Sequence, residues 1–305
     1  CYCYEAAAFK PERKNLAVCR AGEYEALPEK IADPAKAPDF GPKEYNETVA
    51  KSGAINVGAR DFLVAVNYNL NTTSTRRAMA IAFDVREKGR KMREGGSLTG
   101  KVLKDENGKD RWQPGTLKGC KAIGWYIDEY GIAQVSMNIT NIQATPLHVA
   151  YEEVSRAAAA RGLKVTGAEI VGLVPKRVLM DAGKFYLEKQ ERSLGISEDE
   201  IMKIAVKSMS LDDLKPFEPH EKVIEYLMED PEQLAVKERL IRMTLKGFAE
   251  ETASESPAPG GGSISAYMGA LGAALGTMVA NLSAHKRGWD DRWKEFSDWA
   301  EKGHA

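Results

Sequence analysis

From Phe62 to Leu70 the chain reads FLVAVNYNL, an apolar run with the length and β-branched content of a buried strand. Period-two alternation sorts it onto two faces. Phe62, Val64, Val66, Tyr68 and Leu70 form a face suited to a helix-packed core, whereas Leu63, Ala65, Asn67 and Asn69 form one that is small and then amide-lined. Behind the cap candidates Thr73 to Thr75, the residues Ala78, Ile81, Ala82 and Val85 recur at amphipathic helical spacing. A polar excursion carries Asn107-Gly108 between Lys101 to Leu103 and Lys109 to Trp112, which predicts a small protruding hairpin. Two strands follow, Lys121 to Asp128 and Ile132 to Thr140, with a turn at Glu129 to Gly131. Thr145-Pro146 opens a helix with Leu147, Ala150, Tyr151 and Val154 on one face and Gly162 as its stop, and Ala168 to Val174 is the fourth strand.

The order β-α-β-β-α-β predicts an α+β class built on a ferredoxin-like split β-α-β unit. There the first and third strands are central neighbours, both helices cover one face, and the other face is open. With the apolar sides of both strands against the helices, Asn67 and Asn69 share the open face with Gln134, Ser136 and Asn138. Five hydrogen-bonding side chains on one surface suit a ligand site, and equally a solvated sheet face or an interdomain contact.

Around this unit, residues 1 to 8 read as a strand, Asn15 to Pro28 as helix or loop, and Lys36 to Gly58 as loop. Lys176 to Glu191 and Ser197 to Met209 read as helices, and the polar stretch Glu229 to Glu238, containing Pro231, as a linker. Beyond it, PAPGGGS precedes the uncharged stretch Ile264 to Ala284, which is long enough to span a membrane. Its Ser, Thr, Asn and Gly content favours instead a buried helix of an oligomeric bundle, with Gly272-x-x-x-Gly276 permitting close approach. The preceding glycines suit an anion at the helix start.

A length of 305 residues predicts two or three folding units, and a net charge of -1 argues against a nucleic-acid partner. The four cysteines, Cys1, Cys3, Cys19 and Cys120, lack zinc-type spacing and read as reduced thiols of a cytoplasmic protein without a signal peptide. No nucleophile, base and orienter set and no metal motif is present, so no catalytic or metal residue is assigned. His148, in a first helical turn, reads as a packing or capping residue, and Asp39 as a turn residue. Arg60, before the central strand, and Lys43, Lys51 and Ser52, in its approach loop, could meet carboxylates. Both chain ends look like cuts through larger domains.

The segments RAGEYEALPEK, APDFGP, GAINVGARDFLVAVNYNL, GIAQVSMNIT and EIVGLVP closely resemble glutamate formimidoyltransferase, and SPAPGGGSISAYMGALGAALGTMV resembles the start of formimidoyltetrahydrofolate cyclodeaminase. The resemblance implies residues 1–62 as the end of an N-terminal transferase subdomain, 63–228 as a complete C-terminal subdomain, 229–238 as linker, and 239–305 as the all-α start of the cyclodeaminase. It implies transfer of a formimino group from N-formimino-L-glutamate to tetrahydrofolate in histidine degradation, in a homo-oligomer of the intact protein with no membrane partner. The family's catalytic histidine corresponds to no residue here, so the chain alone is expected to be inactive. The family's folate loop corresponds to Gly41, Pro42, Lys43, Glu44, Tyr45, Asn46 and on through Lys51, Ser52 and Gly53. Together with Arg60, Asn67, Asn69, Gln134 and Asn138 these are the expected contacts to tetrahydrofolate or substrate. The competing reading is a non-enzymatic small-molecule-binding ferredoxin-like module.

Overall fold

The computed structural model describes residues 1–96, 100–228 and 240–305. It divides into two units, Cys1–Phe62 and Leu63–Ala305.

In the first unit, β1 (Tyr2–Glu5) pairs in parallel with β2 (Asn56–Ala59), and the short helices α1 (Leu16–Arg20), α2 (Leu27–Ala32) and α3 (Glu47–Ser52) surround them. Tyr2, Cys19, Leu27, Ile31 and Val49 make a small core. Beside it lies the ion pair of Arg13 with Asp39 at 2.6 Å, both side chains 5% exposed. Asp39 also accepts from the Cys3 amide at 2.8 Å, so it ties the turn to β1. The loop expected from Lys36 to Gly58 in fact contains α3 and β2. Both are too short for periodicity to register, and Asn46 starts α3 by accepting from the Val49 amide.

The second unit contains β3 (Val64–Leu70), α4 (Thr75–Val85), β4 (Arg90–Lys91), β5 (Trp112–Gln113), β6 (Cys120–Ile127), β7 (Ile132–Ile139), α5 (Leu147–Ala159) and β8 (Val165–Val171). It continues through α6 (Lys176–Lys189), α7 (Glu198–Ser208), α8 (Pro219–Lys222), α9 (Ile224–Met228), α10 (Leu245–Thr252), α11 (Gly261–Ala284) and α12 (Trp293–His304). The main sheet has the order β6-β7-β3-β8 with every pair antiparallel, so β3 and β7, the first and third strands of that sheet along the chain, are the central neighbours. The protein is thus α+β with the ferredoxin-like strand order.

Val64, Val66, Tyr68 and Leu70 are fully buried on the helix side, as are Ala78, Ile81, Ala82 and Val85 of α4 and Ala150 and Val154 of α5. A Cβ on Gly124 of β6 would collide with the α4 backbone at Met79, which shows how closely helix and sheet approach. The hairpin forms as the sequence predicts: Gly108 has φ +76°, Asp105 accepts from the Asn107 and Lys109 amides, and β4 pairs with β5 at its base.

Three boundaries depart from expectation. Phe62 is 59% exposed, because the strand begins only at Val64. The last strand runs Val165–Val171 rather than Ala168 to Val174: Gly172, at φ +78°, turns the chain out of the sheet, and the buried Val174 forms a lone bridge to Val223. Thr145 does not cap α5. Its hydroxyl donates to the Lys118 carbonyl, and Pro146 occupies the cap position.

The expected linker at 229–238 lies outside the described residues. In α11, a window of mean hydropathy 1.4 is long and apolar enough to cross a membrane, yet only 11% of it is buried. Among the described residues nothing lies within 4 Å of where a Cβ on Gly269, Gly272 or Gly276 would stand, so these glycines bring no described backbone close. The helix packs against α12 and the loop before α7, where Asn281 donates to the Gly195 carbonyl and Ser297 accepts from the Leu194 amide.

Candidate functional site

The helix-free face of the main sheet is set by register, which aligns its outward residues in three rows across β6, β7, β3 and β8. The rows are Lys121, Asn138, Ala65, Val171; then Ile123, Ser136, Asn67, Glu169; then Trp125, Gln134, Asn69, Gly167. All five polar residues expected on this face are on it.

Their environments differ sharply. In the third row Asn69 and Gln134 are 0% exposed. Gln134 Nε2 donates to Asn69 Oδ1 at 2.8 Å, Trp125 Nε1 donates to Gln134 Oε1 at 3.1 Å, and Asn69 Nδ2 donates to Asp213 Oδ2 at 3.0 Å. Thr166 adds a hydroxyl donor to the same carboxylate at 3.2 Å. The turn after α7 therefore lies across this end of the face, and a Cβ on Gly167 would strike the Asp213 side chain and the Ser210 carbonyl. The face is open at two rows, not three, and Asn69 and Gln134 spend their hydrogen-bonding capacity within the chain.

The middle row is the reverse. Asn67 is 6% exposed and its side-chain amide has no partner among the described residues. The neighbouring Ser136 hydroxyl and Glu169 carboxylate, both half-buried, are likewise unpaired there, and Ile123 supplies an apolar edge at 51% exposure. The Asn67 amide is not among the fully buried polar atoms left without a partner, so it keeps a narrow contact with solvent through which a ligand can replace water. Two hydrogen-bonding side chains and a carboxylate in line can grip the edge of a flat, polar heterocycle. In the outer row Asn138 is exposed.

Sequence reasoning missed Ile123, Trp125, Glu169 and Asp213. The first three were within reach, because pairing the four strands in register places them beside Ser136, Gln134 and Asn67. Asp213 carried no such signal, since it comes from a turn more than forty residues beyond the last strand.

In the first unit, Gly41 has φ +105°, and Pro42, Lys43, Glu44, Tyr45 and Asn46 are exposed in the bend that follows. Lys51 and Ser52 end α3 on its exposed side, and Gly53, at φ +68°, closes the helix by donating to the Val49 carbonyl. The Asn46 side chain is taken by capping. Arg60 is exposed just after β2. His148 is no surface residue: it stacks on Phe185 at 4.4 Å, its Nδ1 is buried without a partner, and burial pushes its pKa down against the raising charges of Asp181 and Glu152. Among the described residues no cluster could hold a metal ion.

A ferredoxin-like sheet with its helices on one side and an unpaired polar row on the other makes this an α+β protein with a candidate site on the helix-free face. The chain belongs to the formiminotransferase family: the Formiminotransferase domain profile matches residues 65–229, more than half of its length. The profile of the Formiminotransferase domain, N-terminal subdomain matches residues 1–60, and that of Formiminotransferase-cyclodeaminase matches residues 244–305. The chain is 42% identical over 291 residues to formimidoyltransferase-cyclodeaminase of Mus musculus, covering 95% of this chain and 48% of the relative. To the Dictyostelium discoideum protein of that name it is 38% identical, covering 94% and 48%. To glutamate formimidoyltransferase of Streptococcus pyogenes serotype M1 it is 35% identical over 190 residues, covering 62% and 54%. The chain thus spans about half the length of the curated relatives it matches.

Proposed function

We propose that this chain binds tetrahydrofolate on the helix-free face of its main sheet and, within the complete protein, serves transfer of a formimino group from N-formimino-L-glutamate to tetrahydrofolate. The observation that carries the reading is the unpaired row of Asn67, Ser136 and Glu169 in a member of the formiminotransferase family. The Glu169 carboxylate suits the paired donors at the 2-amino and N3 edge of a pterin, and Asn67 its carbonyl. Asn138 borders the ring, while Asn69 and Gln134 brace it from the adjoining covered row. In the first unit, the bend from Gly41 to Gly53 with Lys43, Lys51 and Arg60 offers cations and backbone donors suited to carboxylates.

In the reaction, pterin N5 attacks the formimino carbon, and the tetrahedral intermediate collapses with expulsion of the glutamate nitrogen. The nitrogen must gain a proton and N5 must lose one, which calls for a general acid-base. No residue of this chain corresponds to the family's histidine for that role, so its own residues position and the complete protein catalyses. The names of the relatives favour this enzymatic reading over a non-enzymatic module.

The same reading extends to a second, cyclodeaminase activity begun at residues 239–305, following transferase subdomains at 1–62 and 63–228 and a linker at 229–238. It includes a role in histidine degradation, a cytoplasmic location, to which four free cysteines are suited, and a homo-oligomer that covers the apolar side of α11. Neither nucleic acid nor membrane is a partner in it.

The test is calorimetric titration of tetrahydrofolate into this chain and into the complete protein. Asn67→Ala and Glu169→Gln each weaken binding by about tenfold, the worth of one hydrogen bond to a desolvated or charged partner. Unchanged affinity in both variants overturns the assignment of the site.

A further inference from the structure

Away from that sheet face, the C-terminal end of α4 and the base of the hairpin enclose a cavity of about 360 Å³, lined by Phe83, Arg86, Arg90, Lys91, Arg93 and Trp112 among others. That volume suits a small ligand. Its walls are cationic out of proportion to their counter-charges. Arg90 pairs with Asp84, but that carboxylate is shared with Arg161. Lys91 pairs with Asp110 at 2.6 Å, and the charges of Lys104 and Arg93 also bear on that carboxylate and hold it below its ordinary range. Lys88 stands over the Trp112 ring at 4.4 Å.

Arg86 and Arg93 have no carboxylate partner among the described residues. Arg86 lies over Phe83 at 4.4 Å and donates Nε to the Gly89 carbonyl at 2.9 Å and Nη1 to the Ala122 carbonyl at 3.3 Å. These bonds fix the plane of the guanidinium and leave Nη2 without a partner among the described residues. Arg93 donates Nη1 to the Gly100 carbonyl at 2.8 Å. Both side chains are half-buried, and burial pushes Arg86 down from its ordinary value, as burial and the Arg161 charge do for Arg90. Half-buried cations anchored on carbonyls, with no carboxylate in direct contact among the described residues, are stabilised when an anion enters. A solvated lysine patch has neither the burial nor the carbonyl anchoring.

We propose that this cavity binds a small ligand carrying two or more anionic groups, carboxylates or phosphates, held by Arg86, Arg90 and Arg93 beside the Trp112 ring. Two anionic groups match the surplus better than one, because Arg86 and Arg93 each lack a carboxylate. The fixed guanidinium planes favour carboxylate or phosphate geometry over a spherical ion such as chloride. The site is independent of the folate reading, since none of its lining residues is on the helix-free face of the sheet.

The experiment is calorimetric titration of the full chain with pyrophosphate and with citrate, with acetate as monoanion, in 0.15 M KCl. Pyrophosphate or citrate is expected to bind saturably at one site and acetate not to, and the tighter of the two identifies the phosphate or the carboxylate source. Arg93→Gln, which loses only one bond within the hairpin, is expected to weaken binding by about tenfold, and Arg86→Gln by at least as much. Lys207→Gln, on the remote α7, is expected to leave it unchanged. Circular dichroism and the thermal midpoint of each variant establish that it is folded. No saturable heat from either polyanion, or the same affinity in folded Arg93→Gln as in the parent, overturns the proposal. So does an equal loss in Lys207→Gln, which marks diffuse ionic attraction only.

Discussion

If Asn69 and Gln134 are framework rather than ligand contacts, removing one must cost more stability than removing both in matched form. Asn69→Ala strips Gln134 Nε2 of its acceptor where both residues are 0% exposed, and an unsatisfied buried donor costs about 1–3 kcal/mol. The lost bond to Asp213 adds less, because Asp213 is exposed and its carboxylate regains water. With a small cavity term, the expected loss is about 2–4 kcal/mol. Gln134→Ala orphans Asn69 Oδ1 in the same way, whereas Trp125 Nε1 belongs to a side chain 39% exposed and turns to solvent, so about 2–3 kcal/mol is expected. The double variant Asn69→Leu with Gln134→Met replaces both amides by apolar groups of similar shape, leaves no orphan between them, and is expected to lose only about 1–2 kcal/mol.

The assay is urea unfolding followed by tryptophan fluorescence. All five tryptophans lie in the second unit, so the signal reports that unit alone. A double variant whose loss equals the sum of the two alanine variants refutes the reasoning, because it means the two amides are not coupled. A second readout separates framework from site: the double variant is expected to keep its tetrahydrofolate affinity within about twofold, against about tenfold for Asn67→Ala.

Two other outcomes test different parts of the molecule. In the first unit Asp39→Ala leaves Arg13 buried without its partner and is expected to cost about 3–5 kcal/mol, whereas Arg13→Met with Asp39→Leu costs far less; far-UV circular dichroism during unfolding checks both. For His148, burial lowers the folded pKa below the ordinary 6.5, so the unfolded chain binds the proton first. Its contribution to stability is therefore complete above about pH 6.5 and is lost as pH falls from there toward the lowered folded value. His148→Phe is expected to remove that segment of the pH dependence between pH 7 and 5, while unfolding free energies at pH 8 stay close.

The fold of the second unit was legible because its signals are local and agree with one another. Ala78, Ile81, Ala82 and Val85 have one helical period, Asn107-Gly108 is a strong hairpin turn, and Phe62 to Leu70 and Ile132 to Thr140 each alternate between an apolar and a smaller or polar face. Where these signals conflicted, the reading slipped. Ala168 to Val174 is mostly apolar, but Gly172 turns the chain out of the sheet, Leu173 is 49% exposed, and Val174 is buried by its bridge to Val223, so hydrophobicity ran past the end of the strand. The elements α3 and β2 were invisible because a six-residue helix and a four-residue strand show no period, and β2 is held by its partner β1 across fifty residues of sequence.

The site was legible only as far as one strand can show. Alternation assigns Asn67, Asn69, Gln134, Ser136 and Asn138 to one face, but it cannot rank them, because availability is decided by what covers each row. The turn carrying Asp213 consumes the two amides that alternation makes most conspicuous. Asn67, one step along the same strand, has no partner for its amide among the described residues, since its neighbours in register are Ser136 and Glu169, neither hydrogen-bonded to it. The covered row is useful to the open one. Locking Asn69 to Gln134 and Asp213 fixes the backbone two residues from Asn67 on β3 and two from Ser136 on β7, which lowers the ordering cost left for binding. Loosening the covered row, as Gly167→Ala does by forcing Asp213 away, is therefore expected to weaken the ligand through disorder of the open row, without any substitution at a residue that touches it.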